Sequence, residues 1–306
     1  MAKVLVATEK PFASAAIKLI KEVTDSAGYE LVLLEKYTDK QQLLDAVADV
    51  DAVIIRSDII DSEVINAGKN LKIVVRAGAG YDNVDLAAAT SNDVCVMNTP
   101  GQNSNAVAEL AFGMMVFLAR NQFNGTAGTE LKGKKLGIHA YGNVGQNVAR
   151  IAKGFGMEVF AYDPYCEDKI KADGLNLITD LKSFYSTCDY VSLNIPATAE
   201  TKKTINYDLL RYMPKGAVLV NTARKEVIDE DGLLKIMEDR QDFKYISDIA
   251  PDCAPVFAEK YTGRHFFTPK KMGAQTAEAN INAGVAAAKQ IVGFLENGDA
   301  TFKVNK

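Results

Sequence analysis

The most specific chemistry in the sequence lies in two glycines and one aspartate. Gly142 and Gly145 stand in the turn Tyr141-Gly142-Asn143-Val144-Gly145, and Asp163 follows at a distance of about 20 residues, where a dinucleotide site places its ribose-binding carboxylate. Gly142 lets the backbone approach a pyrophosphate, and Gly145 lets a helix pack close to a strand. The start of that helix offers unpaired N–H groups and a partial positive charge to the phosphates. Asp163 can accept both ribose hydroxyls, and its charge repels a 2′-phosphate, which points to NAD rather than NADP. The first position of the usual glycine pattern is Ala140, which the turn tolerates only if the backbone keeps φ negative there.

A second loop has a different chemistry. Arg76-Ala77-Gly78-Ala79-Gly80 follows an apolar run directly, and its small residues leave backbone N–H groups exposed, an arrangement that can hold a carboxylate. Histidine is scarce, with only His139 and His265, and the four cysteines, Cys95, Cys166, Cys188 and Cys253, lie far apart without metal spacing. They read as reduced thiols of a cytoplasmic protein, and no metal is expected.

These residues need a scaffold. A chain of 306 residues suggests two domains, at about 100–200 residues each. No apolar run reaches the roughly 18 residues of a membrane span. A net charge of −4 gives no reason to expect nucleic acid. The first third alternates short apolar runs with amphipathic stretches: strands at 3–7, 30–34, 52–56, 72–75 and 94–97, and helices at 12–26, 39–48 and 62–67. That rhythm predicts an α/β domain with a parallel, helix-covered sheet. A long apolar helix is expected at 104–120. The middle of the chain repeats the rhythm, with strands at 136–140, 158–162, 190–195, 217–222, 245–249 and 265–267. A final Ala-rich helix at 276–296 is expected to cross back to the first domain.

Taken together, the segments AGAGYDNVDL, NTPGQNSNAVAEL, the glycine turn and VNTARKEVID, in that order, resemble the D-isomer-specific 2-hydroxyacid dehydrogenase family over nearly the whole chain. The resemblance implies two Rossmann-like domains with the active site in the cleft between them. Residues 1–98 and 286–306 would bind substrate, and 99–285 would bind NAD. It also implies that Ala77, Gly78 and Ala79 hold the substrate carboxylate together with Arg224. Asn194, Pro196, Thr222 and Ala223 would line the cofactor site, and Asp248 would reach the nicotinamide carboxamide. Arg56, Ser57 and Asn103 resemble the phosphate-holding positions of the phosphoglycerate dehydrogenases within the family, which implies a phosphorylated 2-hydroxy acid as substrate and serine biosynthesis as the setting. A homodimer through the middle domain is implied too. No regulatory domain is expected after the crossing helix.

The sequence departs from the family at its acid–base unit. The usual histidine after Thr-Pro is replaced by Lys270, and the usual glutamate is missing, with Cys253 near its place and Asp252 adjacent. Lysine starts near a pKa of about 10.4 and histidine near about 6.5. A lysine is already protonated and needs no carboxylate to raise its pKa. Burial beside Arg224 would lower it toward the range where it can exchange a proton. Lys270 is therefore the expected acid–base residue, with Lys271 as the fallback. Lys225 stands where the NTAR motif usually continues with glycine. Two other readings stay open: a hydroxypyruvate or glyoxylate reductase, and a non-catalytic NAD-sensing protein.

Overall fold

The computed structural model describes residues 1–305; Lys306, the end of the expected substrate-binding segment, lies outside them. The chain forms two compact units, Met1–Asn103 with Gln275–Lys306, and Ser104–Ala274. The first unit begins β1 (Lys3–Thr8), α1 (Ser14–Ser26), β2 (Glu30–Glu35), α2 (Lys40–Val47), β3 (Ala52–Ile55), α3 (Ser62–Ala67), β4 (Ile73–Arg76), α4 (Leu86–Ser91) and β5 (Cys95–Asn98). The strands pair in parallel in the order β2-β1-β3-β4-β5. Every residue of β3 is buried, as expected of a strand covered on both faces. Asp39 starts α2 with a capping box closed by Gln42, which satisfies end donors the helix cannot pair internally.

The second unit opens with α5 (Ser104–Ala119), then β6 (Lys135–His139), α6 (Asn143–Gly154), β7 (Glu158–Tyr162), α7 (Glu167–Ala172), β8 (Asn176–Leu177), α8 (Leu181–Thr187) and β9 (Tyr190–Leu193). It continues with α9 (Tyr207–Leu210), β10 (Val218–Asn221), α10 (Glu230–Asp239), β11 (Lys244–Ser247), α11 (Ala254–Lys260) and β12 (His265–Phe267). Its seven strands run in the order β12-β11-β10-β9-β6-β7-β8. All the pairings are parallel. Both units are thus Rossmann-like α/β layers, as expected. The short helices α4, α7, α8 and α11 and the two-residue β8 were not anticipated. The expected domain limits were 98/99 and 285/286, whereas the units divide at 103/104 and 274/275.

The last helix, α12 (Ala277–Asn297), belongs to the first unit. Its Ala283, Ala287, Ala288 and Ile291 share a buried cluster with Phe12, Ala16, Ile20 and the β3 residues Ala52 and Ile54. No helix among the described residues is long and apolar enough to cross a membrane.

Candidate active site

The nucleotide turn sits between β6 and α6. Gly142 is the N-cap of α6, with no side chain accepting from the first-turn N–H groups, so these donors remain available to an anion. A Cβ on Gly145 would lie 2.4 Å from the Ala140 carbonyl, which fixes glycine at that position, while one on Gly142 would meet nothing within 4 Å. Ala140 corrects the sequence reading: its φ is +77°, so the turn holds an alanine in the left-handed region rather than keeping φ negative. The reason is the chain path: the Ala140 N–H still pairs with the Tyr162 carbonyl at 2.9 Å, and the chain must then turn sharply into α6. The Tyr141 side chain is turned inward, with its ring buried and its hydroxyl donating to Asp173. Asp163 is buried, its Oδ2 accepting from the Tyr141 N–H at 2.8 Å and its Oδ1 from that of Tyr165 at 2.9 Å. The carboxylate is therefore held against the turn itself.

At the ends of β9 and β10 the site is polar and incomplete. The Asn194 Oδ1 and Thr222 Oγ1 atoms are buried without a hydrogen-bond partner among the described residues. Buried polar atoms rarely go unpaired, and a polar cofactor ring or ribose fits the need. Pro196 is exposed just beyond β9, and Val144 is half-buried in the first turn of α6. The residues present therefore fit NAD.

The cationic centre is built from β10, β11 and the segment after β12. Asn221 brackets the loop after β10: its Oδ1 accepts from the Ala223 N–H and its Nδ2 donates to the Arg224 carbonyl, both at 3.0 Å. The Ala223 carbonyl accepts from Arg224 Nη1 at 3.1 Å and also from Lys271 Nζ. Arg224 is exposed and Lys271 partly buried. Burial, and then the Arg224 charge, push the Lys271 ammonium down to about 8. Lys270 is exposed; the burial and the arginine neighbour expected for it are found at Lys271. Among the described residues Lys271 forms no ion pair. Asp248 is buried and binds back into the lysine segment through Thr268, Met272 and Gly273.

Around the missing glutamate, Lys225 pairs with Asp252 at 2.6 Å. Glu230 accepts from the N–H groups of Asp252 and Cys253 at 2.9 and 2.7 Å. Burial and Glu230 push the Cys253 thiol up to about 12, which favours the thiol over the thiolate. His139 is buried, with its Nδ1 at 3.0 Å from the Tyr185 hydroxyl. His265 Nδ1 meets the Tyr261 carbonyl.

In the first unit, Arg56 leaves the end of β3 with its guanidinium over the Phe12 ring. It donates to the carbonyls of Lys10 and Pro11 at 3.1 and 3.3 Å, and to Asn280 of α12. Arg76, paired with Ile55 across the sheet, donates from Nε to the Arg56 carbonyl at 3.0 Å. Sequence reasoning gave Arg76 no role of its own, although its position at a strand end was visible. Its guanidinium fills the space over Gly78, where a Cβ would come within 1.5 Å of Nη1, and Gly78 has φ +155°. The N–H groups of Ala77 and Gly78 are taken by the carbonyls of Ile55 and Arg76. Among the described residues, the N–H groups of Ala79 and Gly80 have no backbone partner. Ser57 is exposed, and Asn103 is half-buried before α5.

Comparison with known proteins gives this arrangement its context. Residues 113–256 match the NAD binding domain of D-isomer specific 2-hydroxyacid dehydrogenases. A hydroxypyruvate reductase of Thermotoga maritima is 33% identical over 88% of this chain and 92% of its own length. A D-3-phosphoglycerate dehydrogenase of Methanocaldococcus jannaschii is 32% identical over 100% of this chain, which spans only 60% of that relative. The structure of NAD+-bound 3-phosphoglycerate dehydrogenase from Entamoeba histolytica superposes with a TM-score of 0.87 at 48% identity, covering 100% of this chain and 99% of the other. The chain belongs to the D-isomer specific 2-hydroxyacid dehydrogenases and is an NAD-dependent oxidoreductase.

Proposed function

We propose that the chain is a D-3-phosphoglycerate dehydrogenase, which interconverts 3-phosphoglycerate and phosphohydroxypyruvate at the entry to serine biosynthesis. The observation that carries this reading is Arg56 at the end of β3, its backbone carbonyl tied to the Arg76 side chain at the next strand end, beside the small-residue loop. An arginine at a strand end near a small-residue loop with backbone N–H groups suits a substrate that carries both a phosphate and a carboxylate. The 48% identity to the Entamoeba histolytica enzyme supports the same substrate.

Bound NAD supplies the hydride acceptor. Asp163 holds the ribose, and the first turn of α6 holds the pyrophosphate. Arg224 binds the carboxylate and the C2 oxygen. Lys271, rather than Lys270, takes the hydroxyl proton as the hydride leaves C2, and returns it to the keto oxygen in the reverse direction. A homodimer through the second unit and a reducing, cytoplasmic setting for the four free cysteines complete the proposal.

The second reading, a hydroxypyruvate reductase, is favoured by the Thermotoga maritima relative, which this chain matches over 92% of its length. NADH oxidation with phosphohydroxypyruvate, hydroxypyruvate and glyoxylate side by side separates the two. The proposal expects phosphohydroxypyruvate to be preferred, and Arg56→Ala to cost on the order of 10²-fold in kcat/KM for it and little for glyoxylate. Equal losses on both substrates would favour the reductase, and no turnover of any substrate would favour a non-catalytic NAD-binding role.

A further inference from the structure

The segment carrying Lys271 has no secondary structure of its own between Thr268 and Thr276. Something must hold the lysine beside Arg224. Both oxygens of the Asp248 carboxylate turn toward this segment. Oδ1 accepts from the Thr268 hydroxyl at 2.9 Å and from the Met272 N–H at 2.7 Å, and Oδ2 accepts from the Gly273 N–H at 2.8 Å. The Thr268 hydroxyl also lies 2.8 Å from the Lys270 carbonyl, so its single proton is shared between the Asp248 carboxylate and the carbonyl just before the lysine. The contact is closely fitted: a Cβ on Gly273 would come within 2.9 Å of Oδ2. Asp248 is 1% exposed, its N–H is anchored on the Asn221 carbonyl at 2.9 Å, and the next residue, Ile249, has φ +123°. A β-branched residue in that region is strained, and here the strain lies where the chain turns away after delivering the carboxylate.

We propose that Asp248 is the positioning residue for Lys271, clamping the main chain on both sides of the lysine so that its ammonium meets the Ala223 carbonyl beside Arg224. This rests on the reading of Lys271 as the acid–base group, and it is distinct from any contact Asp248 makes with the cofactor. The charges that act on Lys271 are Arg224, which lowers its pKa, and Asp248 and Glu226, which raise it. Removing the Asp248 charge would therefore oppose the effect of loosening the segment. Gly273→Ala and Thr268→Val are cleaner tests, because they break the clamp and keep the carboxylate.

The experiment follows the pH dependence of Lys271 acylation in the protein without cofactor, read by peptide mass spectrometry, with kcat and the NADH dissociation constant measured on the same variants. In the parent protein the labelling midpoint should lie at about 8. In both variants it should rise toward the ordinary lysine value of about 10.4. The turnover number should fall on the order of tenfold or more, while NADH affinity stays within about twofold. An unmoved midpoint in both variants overturns the proposal, whether melting temperature falls or not. Weaker NADH binding with an unmoved midpoint overturns it in favour of a direct cofactor role. If Lys271→Ala retains turnover, the acid–base reading fails, but the labelling midpoint still reports whether the clamp exists.

Discussion

Lys270 and Lys271 are neighbours of the same type, and one bond of chain separates a solvent-facing ammonium from a partly buried one. The acid–base role requires the neutral amine in one direction and the ammonium in the other, so the pH dependence has a definite sign. With Lys271 pushed down to about 8 by burial and then by Arg224, oxidation of the hydroxy acid needs the unprotonated amine, and its kcat should rise with pH through about 8. Reduction of the keto acid needs the ammonium, and its kcat should fall through the same range. Lys271→Ala should cost on the order of 10²–10⁴-fold in kcat and remove both limbs, whereas Lys270→Ala should stay within about threefold. Stopped-flow NADH absorbance across pH 6–10 checks this; a Lys270→Ala enzyme that loses both limbs would return the role to Lys270. The sequence held the chemistry of this choice but not its phase. The absent histidine and glutamate pointed to a lysine, while which of two lysines turns inward depends on Asp248, more than 20 positions earlier, reaching across to Met272 and Gly273. No local pattern carries that contact.

At the level of elements, most strands were legible as short apolar runs, several of them buried on both faces, as in β3 and β9, and the longer helices because they span several turns. The helices α4, α7, α8 and α11, of six or seven residues, make fewer than two turns, too few for a 3.6-residue period to stand out. The β6–α6 turn was legible in its glycines but not in its backbone angles. Ala140 at φ +77° is in a region that costs a non-glycine residue about 1 kcal/mol or more. Ala140→Gly should therefore stabilise the second unit by about 1 kcal/mol, seen as a higher urea midpoint at unchanged slope; a lower midpoint would mean that the strain is absorbed by the turn. His139, on the adjoining strand, sets an acid limit. Burial pushes its imidazole down to about 4, whereas the unfolded chain protonates near about 6.5. The unfolded state therefore binds the extra proton between these values, and stability falls as pH drops from about 6.5 toward 4, by about 3 kcal/mol in total. His139→Asn should flatten that part of the stability–pH curve. An unchanged slope would assign the acid limit to carboxylates instead.

On the scale of the whole chain, the first unit is assembled from two separated segments, 1–103 and 275–306, so its folding requires the chain to return after the second unit has been made. Two contacts close it. The α12 residues Ala287, Ala288 and Ile291 complete the cluster around Phe12 and Ile20. The chain after α12 then pairs with the edge of β5, where the Val304 N–H donates to the Val96 carbonyl at 2.8 Å and Met97 bridges Lys303 in antiparallel sense. Asn305 finishes this edge from a position only 4% exposed. Its Oδ1 accepts from the Val96 N–H at 2.8 Å, and its Nδ2 donates to the Val94 carbonyl at 2.9 Å and to the Thr90 hydroxyl at 3.1 Å. The return of the last helix was expected from its length and apolar face, but a single asparagine near the end of the chain gave no sign of being structural. Replacing it by alanine leaves the Val96 N–H and the Val94 carbonyl buried and unpaired, at about 1–3 kcal/mol for each such group. Asn305→Ala should therefore lower the stability of the first unit by about 2–4 kcal/mol and speed hydrogen exchange at Val96, while amides in β6 and β10 keep their protection. Asn305→Asp retains the acceptor for Val96 but sets a buried carboxylate oxygen against the Val94 carbonyl, so it should destabilise at least as much. Faster exchange in the second unit as well would show that the two segments and the middle unit unfold together, and that the latch stabilises the chain as one body.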